Sequence, residues 1–233
     1  AIRPKNADFL EEPVKNAIVS DVIQQNNVVT INPLIVDPNY IDIISKLVVI
    51  YDKGLLSTSK ETLRAKIAGL ITTFNENYIG DFGQNFSNSV FMSEIIDLDD
   101  SIITANNRIT IKKNIEVTNN LFGDFTFSFA NKIYNPEPGY KESTGGVIST
   151  SLFQRTGAVS PSGIDDDGRG NLRIFDLVDN NKVYINSNAG SVDYATGTLN
   201  IISTLKVDDE RVSFYAITDS FDVVAERDTV ARI

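Results

Sequence analysis

The densest set of oxygen donors in the chain is Asp165-Asp166-Asp167-Gly168-Arg169-Gly170-Asn171. Calcium takes its ligands from carboxylates and carbonyls in flexible loops of this kind. With Asp165 at the first loop position, Asp167 and Gly170 fall where a ligand and a turn-making glycine are needed, but Arg169 takes a ligand's place and no Glu closes the loop. The same residues meet a plainer need, a tight turn between Ser162 and a strand at residues 172–177, with Asp and Gly supplying the backbone freedom. The turn is the expectation. A β-rich glycan-binding or calcium-dependent module is the alternative function, and no residue is assigned as catalytic, cofactor-binding or metal-ligating.

Other chemistry is thinly supported. The chain has no histidine and no cysteine, which excludes within it imidazole-based triads, Cys/His dyads, thiolate chemistry and disulfides. Carboxylates for a glycosidase exist in number, among them Asp97, Asp99, Asp100, Glu210 and Glu226. Asp99-Asp100 falls between an expected helix and strand, and Asp208-Asp209-Glu210 between two strands, as solvated turns of an acidic protein do. Ser57 and Lys60 have Ser-x-x-Lys spacing, but Thr58 has a capping role and no supporting motif follows. Gly145-Gly146 and Gly168/Gly170 sit in β-rich sequence with no helix after them, so they do not form a phosphate cradle. Phe125, Phe127 and Phe129 alternate and are expected on a core face, not as a base-stacking or sugar platform. The chain is expected not to be an enzyme and to need no cofactor or small-molecule substrate.

Composition sets the frame for these residues. A chain of 233 residues with 42% hydrophobic and 22% charged residues can bury its own core. No apolar run approaches the roughly 20 residues that cross a bilayer, so no membrane partner is expected. The formal charge of −10 repels a polyanion and disfavours nucleic acid. The opening Ala1-Ile2-Arg3-Pro4-Lys5 has neither an initiator Met nor a signal pattern, and suggests a piece of a longer polypeptide.

The elements that must position these residues are legible in the periodicity. Glu11, Glu12 and Pro13 open a short amphipathic helix carrying Val14, Ala17, Ile18, Val22 and Ile23. Val28-Val29-Thr30-Ile31 reads as a strand ended by Asn32-Pro33, and residues 40–51 as a buried strand broken at Asp52-Lys53-Gly54. Thr58 and Glu61 form a capping box before Leu63, Ile67, Leu70, Ile71 and Phe74, a helix expected to end near Tyr78-Ile79-Gly80. A second helix follows on Phe86, Val90, Phe91, Ile95 and Ile96, then a half-buried strand from Arg108 carrying Ile109, Ile111, Ile115 and Val117. From Leu121 the texture becomes β-rich, with loops at residues 135–139 and 160–163 and strands at residues 182–185, 198–202 and 211–217. The expected fold class is α+β, a strand-helix-helix-strand unit followed by a β-rich domain, with domains 1–120 and 121–233.

Within that frame, Gly190-Ser191-Val192-Asp193-Tyr194-Ala195-Thr196-Gly197-Thr198-Leu199 resembles a recurrent hairpin of contractile-tail bacteriophage baseplate wedge proteins. The segment from Asn32-Pro33 to Tyr51, the capped helix, Ile79-Gly80-Asp81-Phe82-Gly83 and the following helix resemble the baseplate J-like family in the same order. The likeness is greatest to the large ring-forming wedge subunits of T-even-type phages, in their C-terminal portion. The resemblance implies a structural protein of the virion tail baseplate, a late protein assembled in the host cytoplasm. Its partners would be a second copy of itself in a homodimer and other wedge subunits around the central hub, with contacts that shift before sheath contraction.

Overall fold

A computed structural model describes residues 2, 4, 9–23 and 35–233. The strand expected at Val28-Val29-Thr30-Ile31 lies outside the described residues. A short helix α1 (Glu12–Ile18), with Pro13 in its first turn, runs on as a wider π turn over Val19–Ile23. Strand β1 (Asn39–Tyr51) leads to α2 (Lys60–Asn77), α3 (Asn88–Ile96) and the long β2 (Ile102–Glu116), the expected strand-helix-helix-strand order. Apart from one 3-10 turn at Glu142–Thr144, the remaining elements are β: β3 (Leu121–Phe122), β4 (Phe125–Ser128), β5 (Ile148–Thr150), β6 (Ser162–Asp166), β7 (Asn171–Val178), β8 (Asn181–Asp193), β9 (Thr198–Ile201), β10 (Leu205–Lys206), β11 (Arg211–Ile217) and β12 (Thr229–Arg232). The fold is α+β. Among the described residues no helix is long and apolar enough to cross a membrane.

Ten of these strands form one sheet in the order β12-β1-β2-β11-β5-β6-β7-β8-β9-β4; β3 and β10 pair separately. Only β1 and β12 run parallel, and the other neighbours are antiparallel. The sheet crosses residue 120: β1 is flanked by β12, and β2 pairs with β11 from Glu116↔Arg211 to Thr110↔Ile217. The core is likewise one cluster, running from Ile41, Ile43, Phe74, Phe86 and Phe91 through Ile109 and Ile111 to Phe214, Val223 and Ala231. The change of texture near residue 120 marks where α-helices cease, and the hydrogen bonding and packing continue across it.

Both helices form as their spacing predicts, with one correction at an end. The first residue of α2 is Lys60 and its cap is Ser59, whose hydroxyl accepts from the Thr62 amide at 3.1 Å; Thr58 lies one residue too early. At the other end Tyr78 caps the helix and Gly80 takes φ +98°, closing it as expected. The Ser87 side chain makes no capping bond to α3, and the carboxylate of Asp222, far along the chain, accepts from the Asn88 amide at 2.7 Å. Phe86 and Val223 exchange backbone hydrogen bonds of 2.9 and 3.0 Å beside it. Phe74, Phe86 and Phe91 then meet edge-to-face or tilted, with centroids 5.0–5.9 Å apart.

Two strands are longer than their apolar patterns suggest. Strand β2 starts at Ile102, because it follows β1 through Ile50↔Thr104 and Tyr51↔Ile102; β8 extends to Asp193 because β9 pairs its far end. Ser162 and Gly163, expected in a loop, open β6 and pair with Asp176 and Phe175 of β7. Phe125, Phe127 and Phe129 do face the core, with Phe127 5.0 Å from Phe214 and Phe122 6.1 Å from Phe214.

Asp99, one of the acids weighed for catalysis, instead ties the α3–β2 corner to α2. Its carboxylate binds Lys66 at 2.9 Å and accepts from the Ser101 hydroxyl and amide, and these contacts, Lys66 first, hold it at about 2. A depressed carboxylate adds stability that is present above its ordinary value of 3.8 and is lost as pH falls through about 2. Asp99→Asn is therefore expected to unfold more readily than the parent at neutral pH. The gap between the two in urea midpoint should close as the pH is taken from 4 to 2, and an unchanged gap would remove this role for the ion pair.

Candidate functional site

Consecutive strand residues point to opposite faces of a sheet, and β6 uses this to send two adjacent carboxylates in opposite directions. Asp165 and Asp166 are both fully buried, with no exposed surface. A carboxylate buried this deeply persists only if its oxygens are fully bonded. Asp165 is met from β7 by Arg173 (Nε, 2.9 Å) and from β8 by Lys182 (Nζ, 2.7 Å) and the Tyr184 hydroxyl (2.9 Å). Arg173 also donates to the backbone oxygens of Asp166 at 2.8 Å and Glu142 at 3.1 Å, and its guanidinium lies 4.2 Å from the centre of the Tyr184 ring. One carboxylate and two cations thus bind β6, β7 and β8 to the 142–145 turn.

Asp166, on the other face, has no cation against it among the described residues. One oxygen accepts from the Val147 and Ile148 amides, both at 2.7 Å, and the other from the Gly168 amide at 3.1 Å and the Tyr194 hydroxyl at 2.7 Å. Two glycines make room for the pair. A Cβ on Gly146 would lie 2.0 Å from an Asp166 oxygen and one on Gly145 2.6 Å from an Asp165 oxygen, and both residues have positive φ. The Gly145-Gly146 pair is the place where the backbone wraps two carboxylates.

Asp167 closes the β6–β7 turn. Its side chain accepts from the Arg169 and Asn171 amides at 2.7 and 3.0 Å and from the Asn171 side-chain amide at 2.6 Å. Burial alone would raise its pKa, and the bonds from Asn171 and Arg169 outweigh burial to lower it. The turn reading of residues 165–171 therefore describes the geometry. The calcium reading needs Asp165 and Asp167 to converge on one ion, whereas Asp165 is turned into the sheet and occupied by Arg173 and Lys182. Among the described residues no group of three or more Asp or Glu is placed to hold a metal ion.

The hairpin at residues 190–199 locks onto the same cluster. Tyr194 begins the turn between β8 and β9 and reaches Asp166, while Asp193 accepts from the Ala195 amide (2.9 Å) and the Thr196 hydroxyl (2.8 Å). Gly197, at φ +69°, lets the turn lie against residue 131, where a Cβ would come within 2.2 Å of the Asn131 oxygen. Asn131 is itself buried, donating to the Phe129 and Val224 oxygens and accepting from the Val224 amide, all at 2.8 Å. Sequence reading singled out Asp165 and the Asp-Tyr/Thr-Gly turn but did not join them. The missing signal was the partner of Asp166, which lies 28 residues away at Tyr194 and cannot be read from local spacing.

Burial and the neighbouring Asp165 push the Tyr184 hydroxyl up to about 12, and burial and Asp166 raise Tyr194 further. A group whose proton is held more tightly in the folded state gives stability that is complete below its ordinary value of 10 and is lost as pH rises toward 12. Tyr194→Phe is expected to cost about 2 kcal/mol, one hydrogen bond to a buried anion. An ultraviolet titration should show one fewer late-ionising tyrosine. Equal unfolding midpoints for parent and variant would remove the lock assigned to Tyr194.

Fold and site together define a rigid sheet framework whose polar interior is consumed in holding strands and turns in register. Residues 39–114, the strand-helix-helix-strand unit, match the family described as baseplate structural protein gp6, C-terminal domain III. The chain is also similar to the baseplate wedge protein gp6 of Enterobacteria phage T4, with 26% identity over 159 residues, covering 61% of this chain and 24% of that protein. The chain thus spans about a quarter of the length of the curated relative. Both likenesses are to baseplate proteins, one described as structural and the other as a wedge protein.

Proposed function

We propose that this chain is a structural, non-catalytic building block of a phage tail baseplate wedge. It pairs with a second copy, touches neighbouring wedges around the central hub, and shifts those contacts in the switch that precedes sheath contraction. The observation that carries the reading is the match of residues 39–114 to a baseplate structural domain. The site supports it physically. Asp165, Asp166 and Asp99 are spent on Arg173, Lys182, Lys66 and backbone amides, as suits a part that transmits force without deforming. Closed symmetry would bury one self-complementary patch in the homodimer, and the switch would be a population shift between two packings.

Sedimentation velocity of the purified chain over a range of concentrations, with chelator present, tests the homodimer; co-sedimentation with the other wedge subunits tests the wider assembly. A metal-independent dimer that enters wedges is the expected result. A chain that stays monomeric and joins no wedge would overturn the reading.

A further inference from the structure

Arg173 is held on every side but one. Its Nε donates to the Asp165 carboxylate, and its Nη2 to the backbone oxygens of Asp166 and Glu142. The guanidinium carbon lies 4.2 Å from the centre of the Tyr184 ring, which covers one face of the group. The side chain is 10% exposed. Its remaining nitrogen, Nη1, makes no hydrogen bond among the described residues, yet it is not sealed in: the buried side-chain polar atom left without a partner there is the Asn135 oxygen. Nη1 therefore keeps its two N–H groups for an acceptor from outside.

Arg173 lines an open cleft of about 530 Å³ together with Gly139, Lys141, Glu142, Ser143 and Tyr184. The charges at this cleft do not balance. Asp165 is shared by Arg173 and Lys182, and Glu142 is bound by Arg169, so with Lys141 four cations stand against two acids. A local surplus of positive charge runs against the net −10 of the chain. Lys141 makes no ion pair among the described residues, and its ammonium lies 5.4 Å from the centre of the Tyr140 ring. Its backbone is left-handed at φ +55°, a strained conformation for lysine. The Thr144, Gly145 and Gly146 amides fix it there, all donating to the Lys141 oxygen at 2.9–3.1 Å.

We propose that this cleft is a receptor for a carboxylate, which accepts from Arg173 Nη1 and is drawn in by the Lys141 ammonium, with the Ser143 hydroxyl as a further donor. Tyr184 covers a face of the guanidinium, so the acceptor must come to the free edge in the plane of the group, the approach that suits a planar carboxylate. Because Asp165, Asp166 and Glu142 already fix Arg173, little side-chain freedom is lost on binding. The cation surplus favours the approach of an acid. The receptor does not depend on the assembly in which the chain works.

The test titrates the chain with glutarate and with the end-blocked peptide Gly-Ser-Glu-Ser-Gly, followed by heteronuclear NMR, with glutaramide and the Gln peptide as neutral counterparts. Millimolar binding, roughly 1–10 mM, is expected for a few charge-assisted bonds. It should shift the Arg173 Nε–H signal and the amides of residues 141–143 and 184, and the neutral counterparts should bind roughly ten-fold more weakly or not at all. Binding of glutarate alone would make the ligand a free acid, and binding of the peptide alone an acidic side chain of another polypeptide; either upholds the receptor. Lys141→Glu, at an exposed position, is expected to lose roughly ten-fold in affinity with its thermal midpoint unchanged. Lys60→Glu, the same change of charge at the start of α2, should bind as the parent does. No binding of either acid up to about 100 mM, equal binding of the neutral counterparts, shifts confined to other residues, or undiminished binding by Lys141→Glu would overturn the proposal.

Discussion

Replacing Asp166 by alanine is expected to lower stability by roughly 3–5 kcal/mol, the loss typical of breaking a buried charged group's bonds. In a chain of this size that is a fall of about 10–15 °C in thermal midpoint. The Val147 and Ile148 amides would lose the oxygen they share at 2.7 Å, and Gly168 and Tyr194 would lose theirs, at a position with no exposed surface. Asn at this position is a graded control. Its oxygen can keep the two strand amides, while its own N–H groups face the Gly168 amide, so a smaller loss is expected. Calorimetry and urea unfolding give the magnitude, and hydrogen exchange at Val147 and Ile148 locates it. A loss below about 1 kcal/mol would mean that Asp166 is not the anchor described.

Dividing the chain at residue 120 is expected to have the largest effect of all. Neither half alone should give a cooperative unfolding transition, because the division parts β1 from β12 and β2 from β11 and cuts one buried cluster in two. The first half would expose Ile41, Ile43, Ile109 and Ile111, and the second Phe214 and Ala231. Fluorescence and near-ultraviolet circular dichroism of each half, then of the two mixed, measure this. Recovery of the native signal only on mixing is the expected outcome, and an independently folded first half would refute the continuity of the core.

Much of the fold was legible because its helices and many of its strands are amphipathic over their own length. Leu63, Ile67, Leu70 and Phe74 recur at helical spacing, Ile109 and Ile111 alternate, and the sheet needed only to bury those faces. Errors fell where pairing, not local pattern, fixes an end. Strand β8 runs on through Ser187 and Asn188 because β7 and β9 hold its two ends, and Ser162-Gly163 is strand because β7 lies beside it. The Thr58/Ser59 cap differs by one residue, a distinction that rests on which hydroxyl reaches the Thr62 amide.

The candidate site divides the same way. Composition alone excluded imidazole and thiol chemistry, local order placed a turn at residues 165–171, and the family resemblance implied a hairpin at residues 190–199. Only the tertiary structure decided that Asp165 and Asp166 are interior groups bound to Arg173, Lys182 and Tyr194 and not solvent-facing oxygens awaiting an ion. The physical reason is that sequence carries secondary structure through short-range periodicity, whereas the state of a charge depends on burial and on partners brought to it across the sheet, which no local spacing encodes.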